Sequence, residues 1–510
     1  MNITMNIFKN PRGVIAMGLA VLAMSFAGCK KNFLDRDPQG RYTSDTYPFP
    51  GGSGPYDQYV FAAYAALRDY NVHVTPFVAA VSIRSDDADK GSTPADGGAD
   101  AQGMDNFPVL PSNGMANALW TGYYNLISKC NITIDQIKNN TAIDATQAIK
   151  DQTEGEARFI RGYAYFMLVR FFGSVPLVDK LYDAVSQSNI AQSTPAQIYA
   201  FIEQDLQFAA NALPLTWDAK FVGRITKGAA NGLLAKVYLT QQKWTDAMAT
   251  AGIVINSGQY DLSTPYTKIF GEDGENSKES VFEVQATADA TNQTTPYGIQ
   301  YTNIQGVRGS GIWDLGWGWN TPSTQLEAAY ETGDPRKDRT ILYSGGTTVY
   351  GEAVPTGLPN PRYNHKVHTN PSFRNSIGNR FGWWMNVRIL RYADVVLMYA
   401  EAANEAGNAT EALAKLEMVR ARARAGNNAI LPKVTTTDKS LLREAIRQER
   451  RVELAMEHDR FFDLVRWGIA APTLQAAGKT NFNNGRDNLL PIPQTQIDLS
   501  KGVLKQNPGY

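Results

Sequence analysis

The chain has 510 residues, 49 Lys+Arg against 49 Asp+Glu, and 43% hydrophobic residues. Balanced charge argues against a nucleic-acid binder, which would need a basic face, so no nucleic-acid partner is expected. The length is enough for a large core, built as one big domain or as two to three smaller ones.

Lys9 and Arg12 precede the apolar stretch "GVIAMGLAVLAMSFAG", which is too short to span a bilayer comfortably. It ends in small residues ahead of Cys29, so residues 1–28 read as an export signal cleaved before that cysteine. "FAGC" looks like a lipobox, with Phe26 where leucine is commoner, and Cys29 is the expected lipidation site. The polar, Gly/Pro-rich stretch that follows suits a tether. The protein is therefore expected to be anchored to a membrane and not to span it.

Helical patterns follow at "YDQYVFAAYAALRDY", interrupted by the loop "SIRSDDADKGSTPADGGADAQGMDNFPVLPSNG". Asp86, Asp87, Asp89, Asp96 and Asp100 in this loop are hard oxygen donors of the kind calcium uses, without the spacing of an EF-hand. Asp86 is also a candidate ligand contact. "ALWTGYYNLISKCNITIDQIK" resumes the helices, and its Cys130, with no partner, reads as a small buried hydrophobe. In "EGEARFIRGYAYFMLVRFFG", Ala157, Ile160, Ala164, Leu168 and Phe171 share one face, while Phe159, Tyr163 and Phe166 cover another. Such a helix must lie between others, and Gly173 ends it. "PAQIYAFIEQDLQFAANAL" is a further helix. Leu234, Ala235, Tyr238, Ala247 and Val254 then fall at tetratricopeptide spacings, and Tyr399, Ala400, Ala412, Leu416 and Val419 repeat them. Small Ala247 lets two helices approach, Tyr238 fills the wedge beside it, and further pairs must stack alongside. Trp120, Trp244 and Trp467 sit on helical patterns and read as scaffold core.

Between the two copies, from about 262 to 387, helical periodicity fades, and five of the nine tryptophans gather there. A loop region this long inside a compact domain is usually functional. "GIWDLGWGWN" puts Trp313, Trp317 and Trp319 within seven positions. Three readings stand: a local mini-core, a docking patch, or a stacking platform. Gly316 and Gly318 would let neighbouring indoles face one side. Flat indoles match the C–H faces of sugar rings, and polar neighbours supply directional hydrogen bonds. The ligand-binding candidates are Trp313, Trp317, Trp319, Tyr297, Tyr301, Arg308 and Asn320, with Asn303 and Asp314 beside them. Trp317 and Trp319 are the indoles most suited to the platform. His365 and His368 read as a solvated loop pair, and no metal or cofactor is expected. Glu449, Glu453 and Glu457 in "ERRVELAMEHDRFFD" line up as a row of carboxylates, which a glycosidase would need in pairs. Arg450 and Arg460 stand three residues from Glu453 and Glu457, and the row reads as a structural ion-pair network with arginines on neighbouring helices.

"NFLD" after Cys29, "GEARFIRGYAYFMLVRFFGSVPLV", "GRITKGAANGLLAKVYL", "RILRYADVVLMYAEAANEAG", "ERRVELAMEHDRFFDLVRWG" and the closing "PIP" and "QNPGY" resemble, in order, the signatures of the SusD/RagB-like outer-membrane lipoproteins of nutrient uptake. The resemblance implies an all-α dominated fold: a tetratricopeptide-type scaffold with a large irregular, aromatic-rich insertion. Residues 29–510 would then form one SusD-like domain, with N-terminal repeats to 261, a ligand-binding insertion over 262–387 and C-terminal repeats from 388. It also implies a surface-exposed lipoprotein of the outer membrane that captures an oligosaccharide or polysaccharide for a SusC-like TonB-dependent transporter. It brings no catalytic residues, so the expectation is a non-enzyme. A peptide binder on the same scaffold and a glycan-degrading surface enzyme are the alternatives.

Overall fold

Six of the longer helices begin where a polar side chain satisfies one or two of the first free backbone N–H groups. The computed structural model describes residues 54–182, 189–288 and 297–510; the signal segment, Cys29 and the tether lie outside them. Nearly all of the described chain forms one unit, Tyr56–Asn140 with Ala145–Tyr510. After α1 (Asp57–Ala66), Asn113 caps α2 (Gly114–Asn139) and Thr146 caps α3 (Gln147–Phe172). Thr194 and Gln197 form a reciprocal capping box on α4 (Pro195–Ala212). Thr226 opens α5 (Lys227–Thr240), which a tight turn joins to α6 (Trp244–Ile255).

Helices α7 (Tyr392–Glu405) and α8 (Ala409–Arg424) form the second close pair, turning through Gly407 and Asn408, the α8 cap. Asp438 caps α9 (Lys439–Glu453), and the short α10 (Arg460–Arg466) follows. From α1 to α9 the helices pack in sequence-neighbouring pairs, with α9 resting on both α7 and α8; α6 packs on α7 although the irregular stretch separates them in sequence. The fold is helix-dominated. Helix α3 lies between α2 and α4, and Phe159, Tyr163 and Phe166 are as buried as Ala157 and Leu168. That is why its apolar residues run around the whole circumference. Ala247 and Tyr238 are both buried, and the tyrosine hydroxyl accepts from Gln207 at 2.9 Å. Cys130 is buried and unpaired, and burial pushes its thiol pKa well up. Trp120 is core, while Trp244 and Trp467 are only partly covered.

Short antiparallel strand pairs tie the irregular stretch down. Strand β1 (Ala88–Gly91) comes from the early loop, and β2 (Ser280–Val284) opens the irregular stretch. They are followed by β3 (Trp319–Pro322), β4 (Ile341–Tyr343), β5 (Arg362–Asn364) and β6 (Val387–Arg391). Pairing of β2 with β6 sets Val284 opposite Val387, so the two ends of the stretch close onto each other. Pairing of β1 with β3 sets Gly91 opposite Trp319 and fastens the early loop to the tryptophan segment.

The carboxylate row on α9 completes the attachment. Glu453 has no solvent exposure and accepts from Arg422 at 2.6 Å and from Arg336 and Arg391 at 3.1 Å. Glu449 bridges Arg336 at 2.6 Å and Arg420 at 2.7 Å. Glu457 takes Arg391 at 2.6 Å. These partners come from α8, from β6 and from the irregular stretch, so the row is a structural clasp, and buried glutamates already paired are not free for acid–base work. Arg450 and Arg460 are not its partners, contrary to their spacing. The helix ends at Glu453, which removes the i+3 geometry between Glu457 and Arg460. Arg450 instead pairs with Asp394 at 2.9 Å, and Arg460 with Asp86 at 2.8 Å.

Candidate functional site

The tryptophan loop is built by backbone pairing that only glycine permits. Leu315 N donates to Val307 O at 3.0 Å, Trp317 N to Asn303 O at 2.9 Å, and Gly318 N to Gly306 O at 2.9 Å. A Cβ on Gly316 would stand 2.1 Å from Asn303 O, so the two segments can lie this close only because that position has no side chain.

The three indoles have three different surroundings instead of one shared face. Trp313 is buried in a local cluster with Val307, Leu315 and Tyr363, and stacks on His368 with centroids 6.0 Å apart. Trp319 belongs to the main core, under the Lys90 ammonium at 5.5 Å. Trp317 remains 50% exposed. Strand periodicity alone would set Trp317 and Trp319, two residues apart, on one side; Gly318 between them, at φ +67°, turns the backbone before the strand begins at Trp319 and breaks that pattern. Two of the three indoles are therefore enclosed, and Trp317 alone of the three keeps an open surface.

Around Trp317 the chemistry is mixed. The Arg308 guanidinium lies 5.7 Å from the indole centroid and is ion-paired with Asp96. Asp96 also accepts from Ser92 Oγ at 2.6 Å and Thr93 Oγ1 at 2.8 Å; these hydrogen bonds, above all, hold its pKa down at about 2. Asp96 and Arg308 are distant in sequence, and the β1–β3 pairing brings them together. Nothing in the local pattern of the aspartate loop marks Asp96 out.

The same loop lines an open cleft of about 740 Å³ through Gly311 and Ile312, facing Arg374, Asn379, Arg380 and Phe381. Ile312 is 80% exposed. Arg380 reaches across to Asp314 at 2.7 Å, and Arg374 pairs with Glu352 at 2.6 Å. Phe381 stacks on Trp383, centroids 6.0 Å apart, and Ile299 N donates to Trp383 O, which sets half-exposed Tyr297 nearby. The string "FGWW" was the available signal for this part; Arg374, Glu352 and Asn379 carried none.

The other candidates are enclosed. Tyr301 is buried with its hydroxyl 2.7 Å from His458 Nε2. Asn320 is fully buried and donates to Gln305 at 2.7 Å. Asn303 is buried beneath the loop. Asp86 is held by Arg460 at 2.8 Å and Arg451 at 2.9 Å, so its carboxylate faces inward and is not presented to a ligand. The aspartates of the early loop are dispersed: Asp87 joins Arg451, Asp96 joins Arg308, and Asp100 accepts from Gly114 N. His365 and His368 are buried, not solvated. His368 Nε2 meets Glu352 at 2.9 Å, His365 Nδ1 meets Asp338 O at 2.5 Å, and burial lowers both pKa values.

The helices thus carry an irregular stretch on which half-exposed aromatics stand beside ion-paired side chains. The SusD family model matches residues 278–510, and a second, described as starch-binding associating with outer membrane, matches 96–239. The chain belongs to the SusD/RagB-like family. It is 27% identical to SusD-like protein P2 of Formosa agariphila over 96% of this chain and 98% of that one. Among solved structures, a laminarin binding SusD-like protein is 29% identical with a TM-score of 0.76, covering 89% of this chain and 99% of its own. Surface glycan-binding protein A from Bacteroides thetaiotaomicron, in complex with laminarihexaose, is 26% identical with a TM-score of 0.74, covering 89% and 98%.

Proposed function

We propose that this protein is a non-enzymatic glycan-binding protein of the outer membrane, and that it captures glycan on the face built by the 308–319 loop. The observation that carries the reading is Trp317. A half-exposed indole with a guanidinium and a carboxylate beside it offers a stacking plane and hydrogen-bond partners of both signs. In this reading Tyr297, Phe381 and the cleft beside Ile312 add further aromatic and polar surface to the site.

Laminarin and starch are the first ligands to test, from the names of the similar proteins and the matched family description. Trp317→Ala is expected to weaken glycan binding by about ten- to a hundredfold, from ~1–3 kcal/mol per stacked ring. Its denaturation midpoint should stay near wild type. Trp319→Ala, in the core, is the control that loses stability first. Undiminished titration heats for Trp317→Ala would remove that indole from the site.

In this reading Cys29 carries the lipid and the protein hands its ligand to a SusC-like TonB-dependent transporter. Several acyl chains, at about 0.8 kcal/mol per buried CH₂, would hold it firmly. In mild-detergent extracts of cells grown on the glycan, wild type is expected in the membrane fraction with a transporter bound. Cys29→Ser should move to the soluble fraction. Membrane retention of the serine variant argues against the anchor, and extracts without transporter argue against delivery.

A further inference from the structure

The cations on the candidate face are all committed. Arg308 is paired with Asp96, Arg380 with Asp314 at 2.7 Å, and Arg374 with Glu352 at 2.6 Å. Lys90 is enclosed, and its ammonium donates to Thr93 O at 2.8 Å and Asp96 O at 3.2 Å. Three guanidinium groups thus face three carboxylates, and Lys90, enclosed and donating to backbone carbonyls, is not presented to a ligand. The pairs differ in exposure: Arg380 and Asp314 keep 49% and 42% of their side-chain surface, whereas Arg374 keeps 8%.

This pattern discriminates between sugars by charge. A glycan carrying carboxylates or sulfate esters needs a free guanidinium or ammonium to replace its lost hydration. Here it would have to displace Asp96, Asp314 or Glu352 and then lie against the displaced carboxylate. A neutral glycan meets no such penalty, because its hydroxyls can donate to the carboxylate and accept from the guanidinium of the same pair. Leaving a like charge in the site is a recognised way to reject the wrong ligand.

We propose that this face selects neutral glycans, free of uronate and sulfate, and that Asp96, Asp314 and Glu352 exclude the charged ones. The proposal rests on the reading that the face binds glycan at all. The test compares one polymer with its own charged derivative: laminarin against carboxymethyl laminarin, and starch against carboxymethyl starch, by calorimetric titration at low and high salt. The neutral polymer is expected to bind about ten-fold or more tightly than its derivative, since like-charge juxtaposition costs affinity. Equal or tighter binding of the derivative, weakened by salt, overturns the selectivity while leaving glycan binding intact. Binding of neither polymer nor derivative overturns the glycan reading itself. Asp314→Asn frees Arg380 in a half-exposed pair whose loss should not unfold the protein. It is expected to gain salt-sensitive affinity for the carboxymethyl polymer, with binding of the neutral one changed less. No gain in that variant and in Asp96→Asn removes these carboxylates from the role.

Discussion

Glu453→Ala is expected to lower the unfolding free energy by about 3–5 kcal/mol, the cost of removing one partner from a buried ion pair. Glu453 is fully buried and is shared by Arg336, Arg391 and Arg422, which lie almost entirely out of solvent. Deleting it leaves positive charge among side chains that cannot turn to water. Because Arg336 belongs to the irregular stretch, Arg391 to β6 and Arg422 to α8, the loss also loosens the attachment between them. Burial pushes the Glu453 pKa up, but Arg422, Arg391 and Arg336 together outweigh it and hold the group at about 2. A folded-state pKa below the unfolded value means stability that is present above the ordinary glutamate pKa and is lost as pH falls toward 2. Denaturant melts across that range should therefore show wild type losing stability with acid more steeply than Glu453→Gln. An alanine variant with a wild-type midpoint would show that the clasp contributes nothing.

Gly316→Ala is expected to disable the site while leaving every side chain around Trp317 in the sequence. The new Cβ would meet Asn303 O at 2.1 Å and Gly306 Cα at 2.9 Å, and both are backbone atoms. Neither can rotate away, so the two paired segments must separate. Overpacking of this kind costs about 1–3 kcal/mol or more. Separation also breaks the hydrogen bonds of Trp317 N and Gly318 N that aim the indole. The binding loss should equal or exceed that of Trp317→Ala, with a lower denaturation midpoint as well, which Trp317→Ala lacks. Wild-type affinity and stability in Gly316→Ala would show that the close backbone contact does not position the platform.

Both effects depend on contacts across long sequence separations, and this is where reading the chain alone ran short. The spacing of Glu449 and Glu453 pointed to an ion-pair network with arginines on neighbouring helices, and Arg420 and Arg422 on α8 are such partners, but it did not say which arginines. Arg336, Arg391, Arg420 and Arg422 reach α9 from elements far away in the chain. The histidine pair illustrates the same gap. "HKVH" looks like polar loop, yet its neighbours in space, Glu352 and the Asp338 carbonyl, satisfy the rings and allow burial.

The helices were legible because their information is local. Apolar positions at three- and four-residue spacing, polar caps and a terminating glycine are properties of neighbouring residues, and they set α3, the α5–α6 pair and the α7–α8 pair. The sequence also located the irregular, tryptophan-rich stretch, since loss of periodicity is local too. Which indole meets solvent was decided only by tertiary structure. Trp313, Trp317 and Trp319 have nearly the same neighbours in sequence, and their burial depends on what approaches each from elsewhere. Tyr363 and His368 cover Trp313, and Lys90 and the main core cover Trp319. Over Trp317 there is Arg308 on one side and open solvent besides, and the carboxylate that steadies Arg308 comes from a loop more than two hundred residues earlier. Burial is a property of the assembled surface, so no spacing rule along the chain could have assigned it.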